Sequence, residues 1–198
     1  HAPIDLSGLL ASLDRWRHWY VTADELLAHP SHTAARIAQQ LGERFEVVVS
    51  ACVLSQLHFS VRNALSDVHP LFDAVGFTLT LTHLRTLARL TEPGGSCLLV
   101  SDVATEEMAP LGATDESSDL RALLARQMSS GAVFDTVRPD TIVAISKDDP
   151  TLKRELGVAS VADVWIWRNG PRRSFLVYAL EMGRLGTTEE MAAVALYL

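Results

Sequence analysis

The stretch Phe45-Glu46-Val47-Val48-Val49-Ser50-Ala51-Cys52 constrains this chain more than any other. Its valines run consecutively instead of alternating with polar residues, which is the pattern of a strand covered on both faces inside a parallel sheet. That reading places Val48 in the core. The small residues Ser50, Ala51 and Cys52 follow where such a strand ends. In an open α/β sheet, ligands sit just beyond the carboxyl ends of the strands, and small side chains there let a ligand approach the backbone. A second run of the same type, Cys97-Leu98-Leu99-Val100-Ser101-Asp102-Val103, comes after Pro93-Gly94-Gly95. Parallel neighbours need a crossover, usually a helix. The segment from about Pro70 to Leu90 supplies it, with Leu81, Leu84, Leu87 and Ala88 at helical spacing, although Gly76 to Thr82 alternates like an exposed strand.

The remaining elements follow from local signals. Leu6, Leu9, Leu10 and Leu13 keep helical spacing behind Asp5 and Ser7, either of which can cap. Trp19 to Ala23 reads as a short strand ending at Asp24, and Pro30-Ser31 as the start of a helix that Gly42 stops. Ala104 to Ser117 reads as a loop, Leu120 to Met128 as a helix, Asp140 to Ile145 as a short apolar segment, and Asp149-Pro150 as a further helix start. Two apolar runs, Val161–Trp167 and Ser174–Leu180, flank Asn169-Gly170 and predict a hairpin. Thr187 and Glu190 stand at capping-box spacing ahead of an apolar tail.

The order of these motifs resembles the class I S-adenosylmethionine-dependent methyltransferases. The Phe-acid-Val-Val-Val-Ser run followed by Leu54-Ser55-Gln56-Leu57, and Leu90-x-x-Pro93-Gly94-Gly95 ahead of a hydrophobic strand, look like that family's strands four and five. Trp165 to Met182 resembles its closing hairpin. The resemblance implies a single α/β domain: a doubly wound, mostly parallel Rossmann-like sheet with an antiparallel C-terminal hairpin. It also implies S-adenosylmethionine as cofactor. By position, Asp5 resembles the family's ribose-binding acid and Asp24 the acid beside the adenine, while Ser50 and Ala51 line the cofactor crevice. A carboxylate's two acceptor oxygens suit a sugar diol. For Asp5 the competing reading is a helix cap.

One motif of that family is missing. No Gly-x-Gly-x-Gly follows a first strand, and Pro93-Gly94-Gly95 precedes a strand instead. Without a neighbouring first strand, the Val47–Ser50 strand would leave a long apolar edge open. The expectation is therefore an N-terminal segment beyond the sequence given, with weak cofactor binding or none in its absence.

Composition narrows the function classes. A chain of 198 residues with 48% hydrophobic and 21% charged residues is globular, and a net charge of -7 without a basic block disfavours nucleic acid as partner. No apolar run reaches the ~18 residues of a membrane span. Cys52 and Cys97 fall in apolar runs and read as core thiols of a reducing, cytoplasmic compartment. The seven histidines form no metal-ligand spacing. His58 lies just past the central strand, where a neutral imidazole could take the proton lost on methylation; the competing reading is a solvated loop histidine. Ser50-Ala51-Cys52-Val53 lacks the Asn/Asp-Pro-Pro-aromatic turn of amino-methylating enzymes and the Pro-Cys of cytosine methylation. A small-molecule O- or N-methyltransferase is the resulting expectation, with a non-catalytic binding or scaffold protein of the same fold as its rival. A nicotinamide-dependent oxidoreductase is a third, weaker fit because of the hairpin.

Overall fold

The computed structural model describes residues 4–9, 12–13, 15–16, 22–66, 68–114, 118–170 and 173–186. Residues 19–21 of the expected strand, Leu10 of the expected helix from Leu6 to Leu13 and the capping box at Thr187 lie outside them, whereas Leu6 to Leu9, which are described, are not helical.

One four-stranded sheet organises the described chain. Its strands are β1 (Phe45–Ala51), β2 (Thr91–Thr105), β3 (Ser160–Arg168) and β4 (Ser174–Gly183), in the order β1-β2-β4-β3. β1 and β2 are parallel, with Val48 opposite Cys97 and Ser50 opposite Leu99. β4 runs antiparallel to both β2 and β3, and the hairpin closes at Asn169, whose N–H donates to the Arg173 carbonyl at 2.7 Å. The adjacency of the two apolar runs and the hairpin at one edge match the sequence reading. The mostly parallel sheet does not: one pair is parallel and two are antiparallel.

The helices are α1 (Ala23–Leu41), α2 (Val53–Leu65), α3 (Phe72–Leu90), α4 (Leu120–Ser130), α5 (Pro139–Asp148) and α6 (Pro150–Glu155). None of the described helices is long and apolar enough to cross a membrane. α1 starts well before Pro30, because Thr22 and Glu25 form a reciprocal capping box. Pro30 is then an interior, buried residue of the helix, and Thr22-Ala23 belong to its cap and first turn instead of to a strand. Gly42, in the left-handed region at φ 75°, ends it as expected. Asp140 to Ile145, read as a short apolar segment, lie within the helix α5, with Pro139 at its first turn where the missing N–H costs nothing.

α3 is the most enclosed helix of the described chain, with thirteen of its residues buried. Leu81, Leu84, Leu87 and Ala88 join Cys97, Leu99, Tyr178 and Leu180 of the sheet in one apolar core. Val75 and Leu79 join Leu9, Leu13, Trp16, Val61 and Leu65 in a second. Its threonines are satisfied by bonding back along the helix: Thr80 donates to Gly76 O at 3.1 Å, Thr82 to Thr78 O at 2.7 Å and Thr86 to Thr82 O at 2.8 Å. The Arg85 guanidinium reaches out to Asp149 at 2.6 Å and to the Ser31 hydroxyl, tying α3 to the start of α6 and to α1.

The sheet is not covered equally. Cys97, Leu99 and Ser101 of β2 and Leu176, Tyr178 and Leu180 of β4 share the buried face with Val48 and Ser50. Val47 and Val49 project to the other side and remain 61% and 56% exposed, so β1 is an edge strand with one open face. The expectation that Val48 is enclosed on both sides is corrected accordingly: it is half-buried and packs on the helix side only.

β2 begins earlier than its apolar run. Between the pairs Phe45–Thr91 and Val47–Ser96, residues Glu92 to Gly95 leave the ladder in a bulge, where Gly94 donates to Arg184 O and Arg184 donates to Gly95 O. At Gly95 a methyl group would collide with the Glu46 carbonyl oxygen, whereas at Gly94, at φ 82°, it would meet open space. The two glycines thus serve different needs, close approach at Gly95 and a left-handed turn at Gly94. Gly95→Ala is expected to lower stability by roughly 2–3 kcal/mol, because β1 must be pushed from β2, and Gly94→Ala by about 1 kcal/mol. Chemical denaturation of both variants checks this; equal losses would sink the assignment of Gly95 to strand contact.

Candidate functional site at the carboxyl ends of β1 and β2

The chain turns from β1 into α2 through a single residue. Cys52 adopts φ 53°, ψ 21°, a left-handed conformation that is unfavourable for a non-glycine residue, and its N–H donates to Val100 O at 2.9 Å. The conformation reverses the chain at the end of β1, so α2 begins at Val53 without a loop. Beside the turn lies Asp102 of β2. The Ser55 hydroxyl donates to Asp102 Oδ1 in a short hydrogen bond, and Ser55 Oγ also lies 3.2 Å from the Cys52 carbonyl oxygen. Burial, and then the Asp102 carboxylate, push the Cys52 thiol above its ordinary range. It therefore stays protonated at neutral pH and is poorly suited to act as a nucleophile.

Further along β2, Glu106 follows the last strand residue. Its Oε2 is buried without a hydrogen-bond partner among the described residues, and Gly112 packs against the carboxyl group, where a methyl would approach Oε1 to 3.1 Å. The exposed Ala51, the half-buried Asp102 and Glu106 give this edge acceptor groups beside a small side chain. Such an edge can receive hydroxyl or amino donors of a ligand. A separate cavity of about 530 Å³, between α4 and α5 and over the start of β3, contains none of these residues.

The side chains singled out from sequence are dispersed by the fold. Asp5 Oδ1 accepts from Ser7 N at 3.0 Å, Ser7 Oγ at 2.6 Å and Gly8 N at 3.0 Å, a local turn in which the carboxylate bonds its own neighbouring backbone without a helix following it. Asp24 is exposed in the first turn of α1, where its charge complements the helix dipole. Ser50 points to the helix side, 4% exposed, and shares a 2.7 Å hydrogen bond with His83 Nε2 of α3. Of these four residues, Ala51 alone stands at the open carboxyl edge.

His58 sits inside the molecule. It lies on the buried stripe of α2 with Leu54, Val61 and Leu65, 6% exposed. Thr80 gives its hydroxyl proton to Gly76 O, so it accepts from His58 Nε2 at 2.8 Å. The ring rests against Gly76, where a methyl would be 3.4 Å from His58 Cε1. Its imidazole is thus neither in a loop nor at the crevice. Asp102, Ser55 and Glu106 were missed by sequence reasoning. A signal for Asp102 existed, an acid closing the Leu98–Val100 run, but an acid after Ser101 reads equally as a strand end.

Comparison with protein-family models, curated proteins and solved structures finds no match.

The two buried histidines make folding sensitive to acid. Burial pushes His83 down to about 4, and burial together with the nearby His83 pushes His58 to about 4, both from an ordinary 6.5. The unfolded chain binds these protons first, so stability is full above pH 6.5 and falls as pH drops through the window from 6.5 to 4. Each histidine can withdraw up to roughly 3 kcal/mol. Melting temperature followed from pH 7 to 4 should fall, and His83→Gln, which keeps a polar partner for Ser50 but does not titrate, should flatten that slope; an unchanged slope would refute the assignment.

Proposed function

We propose that this chain is an S-adenosylmethionine-dependent methyltransferase-like domain acting on a small molecule by O- or N-methylation. The observation that supports this reading most is the sheet: β1 and β2 are parallel neighbours joined by helices that cross one face, and an antiparallel hairpin closes the sheet with β4 inserted between β2 and β3. Those are the relations that the resemblance implies for strands four and five and the closing hairpin. In this reading the cofactor lies across the carboxyl ends of β1 and β2, beside Ala51, with Asp102 offering a carboxylate to its polar groups. Catalysis then rests on alignment of donor and acceptor at the edge, since His58 is engaged with α3 and cannot take a proton there.

A second reading, a non-catalytic binding or scaffold protein of the same fold, draws on a specific observation. The sequence holds no glycine-rich loop, and Asp5, Ser50 and His58 all have structural partners. The two readings part on ligand binding. Titration with S-adenosylmethionine, followed by amide NMR, should perturb Ala51, Cys52 and Asp102 to Glu106 with weak affinity, and Ala51→Trp should abolish the perturbation by filling the edge. Saturable binding that leaves those amides untouched would overturn the placement. No binding at millimolar cofactor by a longer chain that includes an upstream glycine loop would favour the scaffold, and binding of a nicotinamide cofactor in its place would overturn both.

A further inference from the structure

The cavity of about 530 Å³ between α4, α5 and the start of β3 falls within the roughly 300–1,000 Å³ that small-molecule sites occupy. Its walls are Leu124 and Met128 from α4, Pro139 and Val143 from α5, and Val161 and Val164 from β3. Leu124, Pro139 and Val164 are buried, whereas Met128, Val143 and Val161 are half-buried, so the sides still present hydrocarbon to solvent. α4 accounts for the surplus. Leu124 is its one buried residue, and Leu123 and Met128 meet the core only in part. Polar contacts clasp the helix to its neighbours instead. Arg121 donates to Val161 O at 3.0 Å and to Ala162 O at 2.6 Å, tying α4 to β3, and Arg138 Nη1 donates to Met128 O at 3.4 Å, tying the start of α5 to the end of α4. These contacts join the three walls without bringing their apolar side chains together.

The polar groups of the lining answer one another. Arg138 Nε and Nη2 donate to the two carboxylate oxygens of Asp140, at 3.0 and 2.8 Å, so the positive charge is matched in place. The Ser129 hydroxyl donates back along α4 to Ala125 O at 2.9 Å. Arg121, Ser129 and Asp140 are exposed, and their spare hydrogen-bonding capacity faces water at the rim. A polar or charged group entering between the walls would therefore give up its hydration for no fixed partner, which costs free energy. Hydrocarbon placed there gains in proportion to the area it removes from water.

We propose that this cavity binds an uncharged, hydrocarbon-rich small molecule, seated between α4 and α5 against Val161 and Val164, with any polar group it carries left at the rim. The unbranched, polarizable Met128 side chain lets one wall adapt to the ligand's outline. The site contains neither Ala51 nor Asp102 and is independent of the methyltransferase reading.

Titration of the whole chain with N-phenyl-1-naphthylamine, an uncharged aromatic whose fluorescence rises on leaving water, tests this. One saturable site is expected. Met128→Lys sets an ammonium in the wall, and Ala125→Phe fills the cleft from an exposed position of α4. Each should weaken binding by about tenfold or more, with circular dichroism checking that both variants fold. Val49→Lys, on the open face of β1, should leave the affinity unchanged. The sulfonated form of the same probe, 8-anilinonaphthalene-1-sulfonate, should bind about tenfold more weakly or not at all, because the lining's guanidinium charge is already matched. Absence of saturable binding, equal or tighter binding of the sulfonate, unaltered affinity in both cleft variants, or loss of binding in Val49→Lys would each overturn the proposal.

Discussion

The structure depends on α3 being acceptable to apolar neighbours on nearly every side. A helix between two cores must bury its polar groups with partners or not carry them. α3 carries four buried threonines and a buried histidine. Three of those threonines give their hydroxyl protons to carbonyl oxygens one turn back, so the helix satisfies them internally. The histidine is satisfied by Ser50 of β1. That hydrogen bond and the His58–Thr80 bond fix α3 in rotation and height against the sheet and against α2, which nonpolar contacts alone specify weakly.

With α3 fixed, the two cores follow. Residues on one side of it meet the sheet face built from alternate positions of β2 and β4, and residues on the other meet α2 and the N-terminal segment. β2 is the strand that joins the two halves of the sheet, parallel to β1 on one flank and antiparallel to β4 on the other. Its bulge at Glu92–Gly95 reconciles the two ladders: the start of β2 pairs with the end of β4 around Arg184, while Gly95 lets β1 lie close. Arg184 then ties this corner to α6 through the carbonyl oxygen of Glu155 at 3.1 Å.

Much of this is legible in the residues, and the exceptions have physical causes. The parallel pair can be read because consecutive valines and leucines separated by a helix-length segment leave few arrangements. The hairpin can be read from Asn169-Gly170. The alternation Gly76-Phe77-Thr78-Leu79-Thr80-Leu81-Thr82 points toward a strand because threonine favours strands on average; within a buried helix the same hydroxyls find acceptors at the fourth residue back. The valine run of β1 misleads about burial, since β-branched residues mark extended backbone as well as enclosure, and the run alone does not say whether one face or two are covered. At α1 the outcome turns on two competing start signals. Pro30 suits a first turn, but Thr22 and Glu25 satisfy two backbone donors reciprocally, and that gain sets the boundary.

The candidate site shows the same contest between local chemistry and global placement. His58 would face the crevice only if the residues between it and Cys52 formed a loop; because Cys52 turns the chain in one step, position 58 is already in the second turn of α2. Its spacing from Leu54, Val61 and Leu65 is that of one helical stripe, so the signal for burial is present in the sequence and outweighs the signal from proximity to the strand end. The same one-step turn brings Ser55 to Asp102 and leaves Ala51 uncovered. The candidate edge therefore depends on the left-handed Cys52 backbone: the tight turn carries His58 into the buried stripe of α2, brings Ser55 to the Asp102 carboxylate and leaves Ala51 exposed.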